Sequence, residues 1–223
     1  MMRHRLEHPE FPDNLIFFDE ALFHVEGVPN RQNYRTWAES NPNIIISESL
    51  HPEYVHALMG IGRHGLIGPF FFDGNVTGQR YLDKLRDDVV PALQNWPNRQ
   101  DLVLVQDGAP AHYSKIARAF LDQQFTNWIG RASKFIAWPA RSPDLTPMDF
   151  FLWGHLKQEL YRGQIFPNLD VLRERIREEA AQVPLDMIQN ALDNFWKRLL
   201  ICERNGGLSV ETRDNYYDEL DFN

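Results

Sequence analysis

The sequence predicts an α/β fold, in which a mixed central sheet is flanked by helices and followed by a helical C-terminal region. Two observations support this prediction. The first half of the chain contains short apolar runs that end in turn residues, which is typical of buried strands, and the last part carries apolar positions at helical spacing. Strands joined by short turns, followed by alternating helices and strands, are the order expected for a mixed sheet covered by helices.

The first strand is predicted in the segment NLIFFDEALFHVEG, residues 14–27, because four consecutive apolar residues precede Asp19. A run of this kind is typical of a strand that is buried on both faces. Residues 31–37 are predicted as a short partner strand. Residues 55–74 are predicted as two strands around a glycine-containing turn at Gly62–Gly65.

Helices and strands then alternate. Apolar residues at helical spacing predict a helix over residues 79–93, and the apolar run at 102–106 predicts a buried strand. Ser114 is a suitable N-cap for the next helix, and residues 134–139 predict a further short strand. The pair Gly206-Gly207 suits the C-cap of the last helix. Three C-terminal helices are predicted over residues 147–161, 170–182 and 184–204.

The composition predicts one globular domain. Hydrophobic residues make up 43% of the 223 residues and aromatic residues 13%, which is enough for a substantial core. We predict a single domain over residues 1–207 and an acidic tail over residues 208–223. No apolar run approaches the roughly 20 residues of a membrane helix, so no membrane partner is predicted. The single cysteine, Cys202, fits a reducing, intracellular setting.

The charge of the chain is unevenly distributed. The formal net charge is −8, which is unexpected for a protein that grips nucleic acid by itself. Residues 112–141 nevertheless contain one acid, Asp122, and five basic residues. An ordinary solvated surface and a phosphate-facing surface both fit this pattern. The basic residues are Lys115, Arg118, Arg131, Lys134 and Arg141.

Three aspartates stand out by their positions. Asp19 and Asp107 each end an apolar run, and Asp149 lies near the start of a predicted helix. Carboxylates are the hard oxygen ligands that Mg²⁺ and Mn²⁺ prefer. Three carboxylates gathered at one point would repel one another strongly without a cation. If the three converge in the fold, they therefore predict a divalent metal site.

Each aspartate also has an ordinary structural interpretation. Asp19 and Asp107 fit turn residues at strand ends. Asp149 fits the third position of a helix capped by Thr146, where an acid favours the helix dipole. Glu20 ranks lower as a site residue, because adjacent strand residues point to opposite faces of a sheet.

Other polar residues give weaker signals. His112 fits either a histidine at the start of a helix or a group that orients a metal-bound water or a phosphate. Asp144 fits a turn residue that bonds its own backbone. Cys202 lies on an apolar helix pattern and is predicted to belong to the core. No glycine-rich phosphate loop or GxSxG motif is present, and no pair of histidines or cysteines is interpreted as a zinc site.

Five segments resemble the catalytic domain of mariner-superfamily DNA transposases, which belong to the DDE/D group with a ribonuclease H-like fold. The resemblance runs from Phe11 to Gly207, and the last two segments together are its most specific part. The segments are FFDEALFHVEGVPNRQNYRTW, GLIGPFFFDG, QDGAPAH, WIGR and WPARSPDLTPMDFFLWGHLK.

The resemblance implies that Asp19, Asp107 and Asp149 are the catalytic and metal-binding acids, a triad of the Asp-Asp-Asp type. It further implies two divalent ions, Mg²⁺ or Mn²⁺, and phosphodiester cleavage followed by strand transfer on DNA. DNA, as transposon ends and as target, is then the expected partner. The candidate DNA contacts are His112, Lys115, Arg131, Lys134 and Arg141.

The resemblance also implies features outside the triad. Transposases of this kind carry paired helix-turn-helix units before the catalytic domain, and none is predicted ahead of Phe11. An isolated or truncated catalytic domain is therefore predicted. By analogy, the region from His24 to Tyr54 would contact a second subunit and give a homodimer on DNA. A nuclear location follows only from the expected substrate.

Two alternatives remain open. The first is a domesticated or truncated relative that binds DNA or protein without transposing, and a nuclease assay with supercoiled DNA and Mn²⁺ would separate it from an active enzyme. The second is a ribonuclease H that acts on RNA–DNA hybrids. The segment SPDLTPMDFFLW argues against this second alternative, and a hybrid-cleavage assay would test it.

Overall fold

The fold is built around a six-stranded mixed sheet. The computed structural model describes residues 1–27, 53–162 and 164–211. Its strands are β1 (Leu15–His24), β2 (Tyr54–Gly62), β3 (Gly65–Phe72), β4 (Val103–Gln106), β5 (Asn127–Gly130) and β6 (Ile136–Ala137). They lie in the order β3-β2-β1-β4-β5-β6. The first three strands pair antiparallel, whereas β1 with β4, β4 with β5 and β5 with β6 are parallel. The predicted mixed sheet is confirmed.

The helices cover both faces of this sheet. They are α1 (Met2–Glu7), α2 (Gly78–Lys84), α3 (Val90–Ala92), α4 (Lys115–Gln124), α5 (Trp153–Tyr161), α6 (Leu169–Gln182) and α7 (Leu185–Arg204). A π-helical turn over Leu85–Val89 joins α2 to α3, and a second one over Met148–Leu152 leads into α5. None of the helices in the described ranges has the length and apolar character needed to span a membrane.

Strand β1 is buried on both faces, as its apolar run predicts. Leu15 and Phe17 pack into the core that contains the apolar residues of α5, α6 and α7. Ile16 and Phe18 pack into the core on the side of α2 and α4. Because side chains alternate along a strand, Asp19 continues the first row and Glu20 the second.

Local capping explains where several helices begin and end. The Ser114 hydroxyl accepts a hydrogen bond from the Ala117 N–H at 3.3 Å, which confirms the predicted N-cap of α4. At the end of α7, Gly206 and Gly207 have φ angles of 67° and 89°. The Gly207 N–H donates to the Cys202 carbonyl at 2.8 Å, so the two glycines end the helix as predicted.

Three details differ from the predictions. The helix predicted over 79–93 contains a π-helical turn, which lies just before Pro91, a residue that has no N–H to donate. Strand β5 was not predicted, because its four residues include too few apolar positions to reveal a period. The N-cap before Asp149 is Pro147, not Thr146. The predicted strand at 31–37 lies outside the described residues.

Val210, which lies beyond the predicted boundary at residue 207, packs against the rest of the chain. Asp144 does not bond its own turn: its Oδ2 accepts a hydrogen bond from the Val210 N–H at 2.9 Å. Val210 is fully buried in the core. The boundary at residue 207 stays a prediction, and residues 212–223 of the predicted tail lie outside the described residues.

Gly60 of β2 lies opposite Phe18 of β1 in the sheet. A Cβ atom added at Gly60 would lie 2.6 Å from the Phe18 ring. Gly60→Ala is therefore expected to destabilise the protein by about 1–3 kcal/mol, the usual effect of overpacking a core. Urea unfolding would measure this loss.

Gly154 provides the matched control for this substitution. It lies in α5, and an added Cβ there would meet no atom within 4 Å. Gly154→Ala is expected to stabilise the protein by about 1 kcal/mol, since alanine has the higher helix propensity. Equal stability of Gly60→Ala and the parent protein would contradict the described packing.

Candidate active site

Three separate elements bring the predicted aspartates to one edge of the sheet. Asp19 lies in β1, Asp107 directly follows β4, and Asp149 lies in the π-helical turn before α5. Since Phe18 and Gln106 pair across the parallel strands β1 and β4, the residues that follow them, Asp19 and Asp107, occupy neighbouring positions. Asp107 and Asp149 both line a cleft of about 870 Å³.

Asp19 is the most buried of the three carboxylates. Its Oδ2 accepts a hydrogen bond from the Trp153 indole N–H at 2.9 Å. Burial raises the pKa of Asp19 to about 7, and the negative charges of Glu20 and Asp149 act in the same direction. The fold therefore holds a carboxylate at a place where its ionised form is disfavoured.

Asp149 is exposed along the cleft and faces both acidic and basic groups. Partial burial raises the pKa of Asp149 to about 6, the negative charge of Asp107 adds to this effect, and the positive charge of Lys157 opposes it. Burial in turn lowers the pKa of the Lys157 ammonium group. The charges of the three aspartates therefore act on one another across one site.

Asp107 is held by a buried histidine. Its Oδ1 accepts hydrogen bonds from the Ala109 N–H at 2.9 Å and from Nδ1 of His112 at 2.6 Å. The other ring nitrogen of His112, Nε2, lies 2.8 Å from Oε2 and 3.0 Å from Oε1 of Glu20. The His112 side chain is 1% exposed. It thus connects two carboxylates that are far apart in the sequence.

The positive charge of His112 and the negative charges of Glu20 and Asp107 stabilise one another. Burial disfavours a charged His112, but the negative charge of Glu20 and the hydrogen bonds to Asp107 and Glu20 outweigh it and raise the pKa of His112 to about 10. Although burial acts in the opposite direction, the hydrogen bond and charge of His112 hold the pKa of Asp107 below its usual range. His112 is therefore an imidazolium at neutral pH, and Asp107 is ionised.

The three aspartates have the chemistry of a divalent cation site. They offer only hard oxygen ligands, and burial first, with the neighbouring negative charges adding to it, raises the pKa values of Asp19 and Asp149. Within the described residues, their ligand atoms do not form a set that lies within 4.8 Å; the one group that does is His4, Glu7 and His8 at α1. Like charges repel, and a cation between them would favour a closer approach.

The His4 group is a histidine pair to which the sequence interpretation gave no metal-binding role. His4 and His8 are four residues apart, so they form the one-turn histidine pair that was not recognised as a possible metal site. Their ring centroids lie 4.4 Å apart. The His8 side chain is half exposed. The group lies at α1, whereas the aspartates lie in β1, directly after β4 and in the π-helical turn before α5.

The structure separates the five predicted DNA contacts. Arg131 and Arg141 line the cleft together with Asp107 and Asp149. Lys115 is exposed at the start of α4, outside the cleft lining. Their positions leave the assignment of DNA contacts a prediction.

Two of the five predicted contacts lie elsewhere. Lys134 is exposed and pairs with Asp122 at 2.9 Å, outside the cleft lining. The expected contact of His112 with phosphate does not fit this structure, because the ring is buried and both its nitrogens already face carboxylates.

Sequence reasoning missed three residues that contact or influence the carboxylates. Trp153 lies four residues after Asp149, on the same side of the helix, so its proximity had a sequence signal. Lys157 is one further turn along. Glu20 was set aside because it points away from Asp19, and nothing in the sequence shows that His112, 92 residues later, returns to it.

The fold is that of a transposase catalytic domain. The chain matches the structure of the catalytic domain of Mos1 mariner transposase with a TM-score of 0.71 at 18% identity, covering 94% of this chain and 90% of that one. It matches the Mos1 paired-end complex with Mn with a TM-score of 0.74 at 20% identity, covering 94% of this chain and 60% of that one. The predicted ribonuclease H-like fold is confirmed.

Sequence comparison gives the family. The chain is 22% identical to the Tc3 transposase of Caenorhabditis elegans over 213 residues, 92% of this chain and 62% of the relative. It is 25% identical to the Tcb2 transposase of Caenorhabditis briggsae over 118 residues, 53% of this chain and 40% of the relative. It thus spans less than two thirds of either relative. The sequence model of the DDE superfamily endonucleases matches residues 14–173, and the chain belongs to that family.

The raised pKa of Asp19 predicts how stability depends on pH. An aspartate whose pKa is about 7 when folded and lower when unfolded contributes stability at acidic pH, and this contribution is lost as the pH rises through 7. Asp19→Asn removes the charge and keeps an oxygen that can accept from Trp153. In buffer with a chelator, this variant is expected to be more stable than the parent at pH 8.

Urea unfolding at pH 5 and pH 8 would test this expectation. The stability difference between Asp19→Asn and the parent should shrink at pH 5, where Asp19 is already protonated in the folded state. Asp13→Asn, at an exposed position before β1, serves as the control for a general effect of removing one negative charge. A difference that is independent of pH would contradict the burial of the Asp19 charge.

Proposed function

We propose that this domain is the catalytic part of a cut-and-paste DNA transposase, which cleaves DNA strands and joins them to target DNA in a metal-dependent reaction. The observation that supports this function best is the placement of Asp19, Asp107 and Asp149 at one sheet edge, near enough for their charges to act on one another. All three lie inside the segment that matches the DDE superfamily endonucleases. The solved Mos1 complexes include strand transfer and paired-end assemblies, which are the steps of such a reaction.

In this proposal Asp19, Asp107 and Asp149 hold two divalent ions, Mg²⁺ or Mn²⁺. Mos1 structures with Mn and with Mg support the choice of metal. When bound, such ions activate the attacking water or 3′-hydroxyl and stabilise the leaving oxygen. The protein contributes rigid ligands, since Trp153 fixes the Asp19 carboxylate and His112 fixes that of Asp107.

The basic residues of the cleft would receive the DNA backbone. Arg131 and Arg141 line the same cleft as Asp107 and Asp149, so a phosphate held by the arginines would lie beside the acids. The Arg131 guanidinium is also fixed in place, because it lies 4.4 Å over the Tyr113 ring. Lys115 is a further candidate at the start of α4.

The partners of the proposed reaction are transposon ends, target DNA and a second subunit. The Mos1 paired-end complexes support the expectation of a homodimer on DNA. Most of the region expected to contact that subunit, residues 28–52 within His24–Tyr54, lies outside the described residues. A nuclear location follows from the proposed substrate. A domesticated relative that binds without cutting remains the competing function, and the first experiment below separates the two.

Asp107→Asn is expected to abolish nicking of supercoiled DNA in Mg²⁺ or Mn²⁺ while the protein stays folded. Loss of a direct ligand should exceed the roughly 10–100-fold effect of removing an outer partner of a metal site. Asp101→Asn, which replaces the exposed aspartate before the same strand β4, is the matched control and should cut like the parent. Nicking by Asp107→Asn at the parent rate would show that the site assignment is wrong, and a parent protein that does not nick would favour the non-cutting relative.

Arg131→Ala and Arg141→Ala are expected to weaken DNA binding and to reduce the slope of log affinity against log salt by about 1 each, because each removes one phosphate contact. Fluorescence anisotropy with a labelled duplex in Ca²⁺ would measure binding at several salt concentrations. Lys134→Ala is the control, since Lys134 pairs with Asp122 and lies outside the cleft lining. A larger effect of Lys134→Ala than of the arginine variants would place the DNA on another surface.

A further inference from the structure

We propose that Glu20 and His112 are positioning residues for the reaction, which hold the Asp107 carboxylate in the orientation that binds metal. This inference rests on the proposed function and deepens it, because it assigns a role in metal binding to two residues outside the aspartate triad. The observation behind it is the continuous chain of contacts from Glu20 through the buried His112 ring to Asp107.

Asp107 needs such support because of where it lies. Strand β4 ends at Gln106, so Asp107 is the first residue beyond the paired backbone, and its side chain is 43% exposed. Two hydrogen bonds fix the carboxylate, one from the Ala109 N–H and one from His112. Both go to Oδ1, which leaves Oδ2 as the oxygen that can coordinate a cation at the cleft.

His112 is itself held from several sides. Oε2 of Glu20 lies 2.8 Å from Nε2 of His112, within hydrogen-bond distance. The centroid of the Tyr81 ring lies 4.4 Å from that of the His112 ring. Gln106 donates to the His112 carbonyl at 3.2 Å and accepts from the Tyr81 hydroxyl at 2.7 Å. A ring with this burial and these partners cannot turn without breaking buried hydrogen bonds. The direction of its Nδ1–H, and with it the position of Asp107, is therefore set by the core.

Glu20 gives β1 two roles in the same site. Asp19 reaches the carboxylate cluster directly and bonds Trp153 on one face of the sheet. Glu20 points to the other face, where it reaches Asp107 only through His112. The Glu20 side chain is 12% exposed, so it does not present a ligand to the cleft as an exposed carboxylate would. Its contribution is to orient the histidine, as second partners of metal ligands commonly do.

The test measures Mn²⁺ binding by isothermal titration calorimetry, a readout that does not depend on DNA cleavage. Glu20→Gln and His112→Gln are each expected to weaken Mn²⁺ affinity by about 10–100-fold. His112→Asn places its amide near the position of Nδ1 and can still donate to Asp107. The Mn²⁺ affinity of this variant should therefore fall less than that of His112→Gln. The Mn²⁺ concentration for half-maximal nicking should rise most in the variants that lose most Mn²⁺ affinity. Saturating Mn²⁺ should restore most of the maximal rate in each of them.

A double-mutant cycle separates positioning from a general structural effect. If Glu20 and His112 act through Asp107, their substitutions should change Mn²⁺ affinity little in an Asp107→Asn background. Tyr161→Phe removes a part-buried hydroxyl that bonds the His24 backbone, outside this network, and keeps the ring, so it should lower thermal stability and leave Mn²⁺ affinity unchanged. Should His112→Gln fail to fold, the Glu20→Gln cycle carries the test.

The outcomes distinguish this inference from the function on which it rests. Parent-like Mn²⁺ affinity in Glu20→Gln and His112→Gln, with loss in Asp107→Asn, would overturn the positioning role and leave the aspartate site intact. Equal losses with and without Asp107 would also overturn it. A parent protein that binds no Mn²⁺ would overturn both the proposed function and this inference.

Discussion

The site depends on holding the Asp19 carboxylate directly after the buried apolar residues of β1. Strand β1 is buried on both faces by two cores, and Asp19 follows directly in that environment. Removing a charge from water costs several kcal/mol unless partners compensate it, which is why the pKa of Asp19 rises to about 7. The large aromatic and aliphatic core is what allows the fold to keep such a carboxylate in place.

The three carboxylates are fixed by three different means, and this division explains the shape of the site. An indole N–H from α5 holds Asp19, an imidazolium from the loop before α4 holds Asp107, and a helical turn carries Asp149. The supports are not independent, because Asp149 and the Trp153 indole belong to one continuous helical segment. Movement of that helix would therefore disturb Asp19 and Asp149 together, whereas the shared β1–β4 register keeps Asp19 and Asp107 as neighbours.

Local patterns predicted most of the sheet, whereas the three acids were singled out by their positions and assigned a role by the family resemblance. That role stays a prediction. The run before Asp19, the N-cap Ser114 and the glycines after α7 each carry a signal within a few residues. Strand β5 and the π-helical turns carry none, since four residues are too short for a period and a helical pattern does not reveal its hydrogen-bond spacing. The link between Glu20 and His112 depends on chain topology, which no local pattern contains.

The acidic balance of the chain is compatible with a DNA-facing cleft because its arginines are used in two ways. Arg175 and Arg177 of α6 are paired with glutamates of the same helix, so their charges are already compensated. Arg131 and Arg141 line the cleft, and neither forms an ion pair with a carboxylate of the described residues. These two arginines are therefore available to meet phosphate beside the acids, although the whole chain carries a net charge of −8.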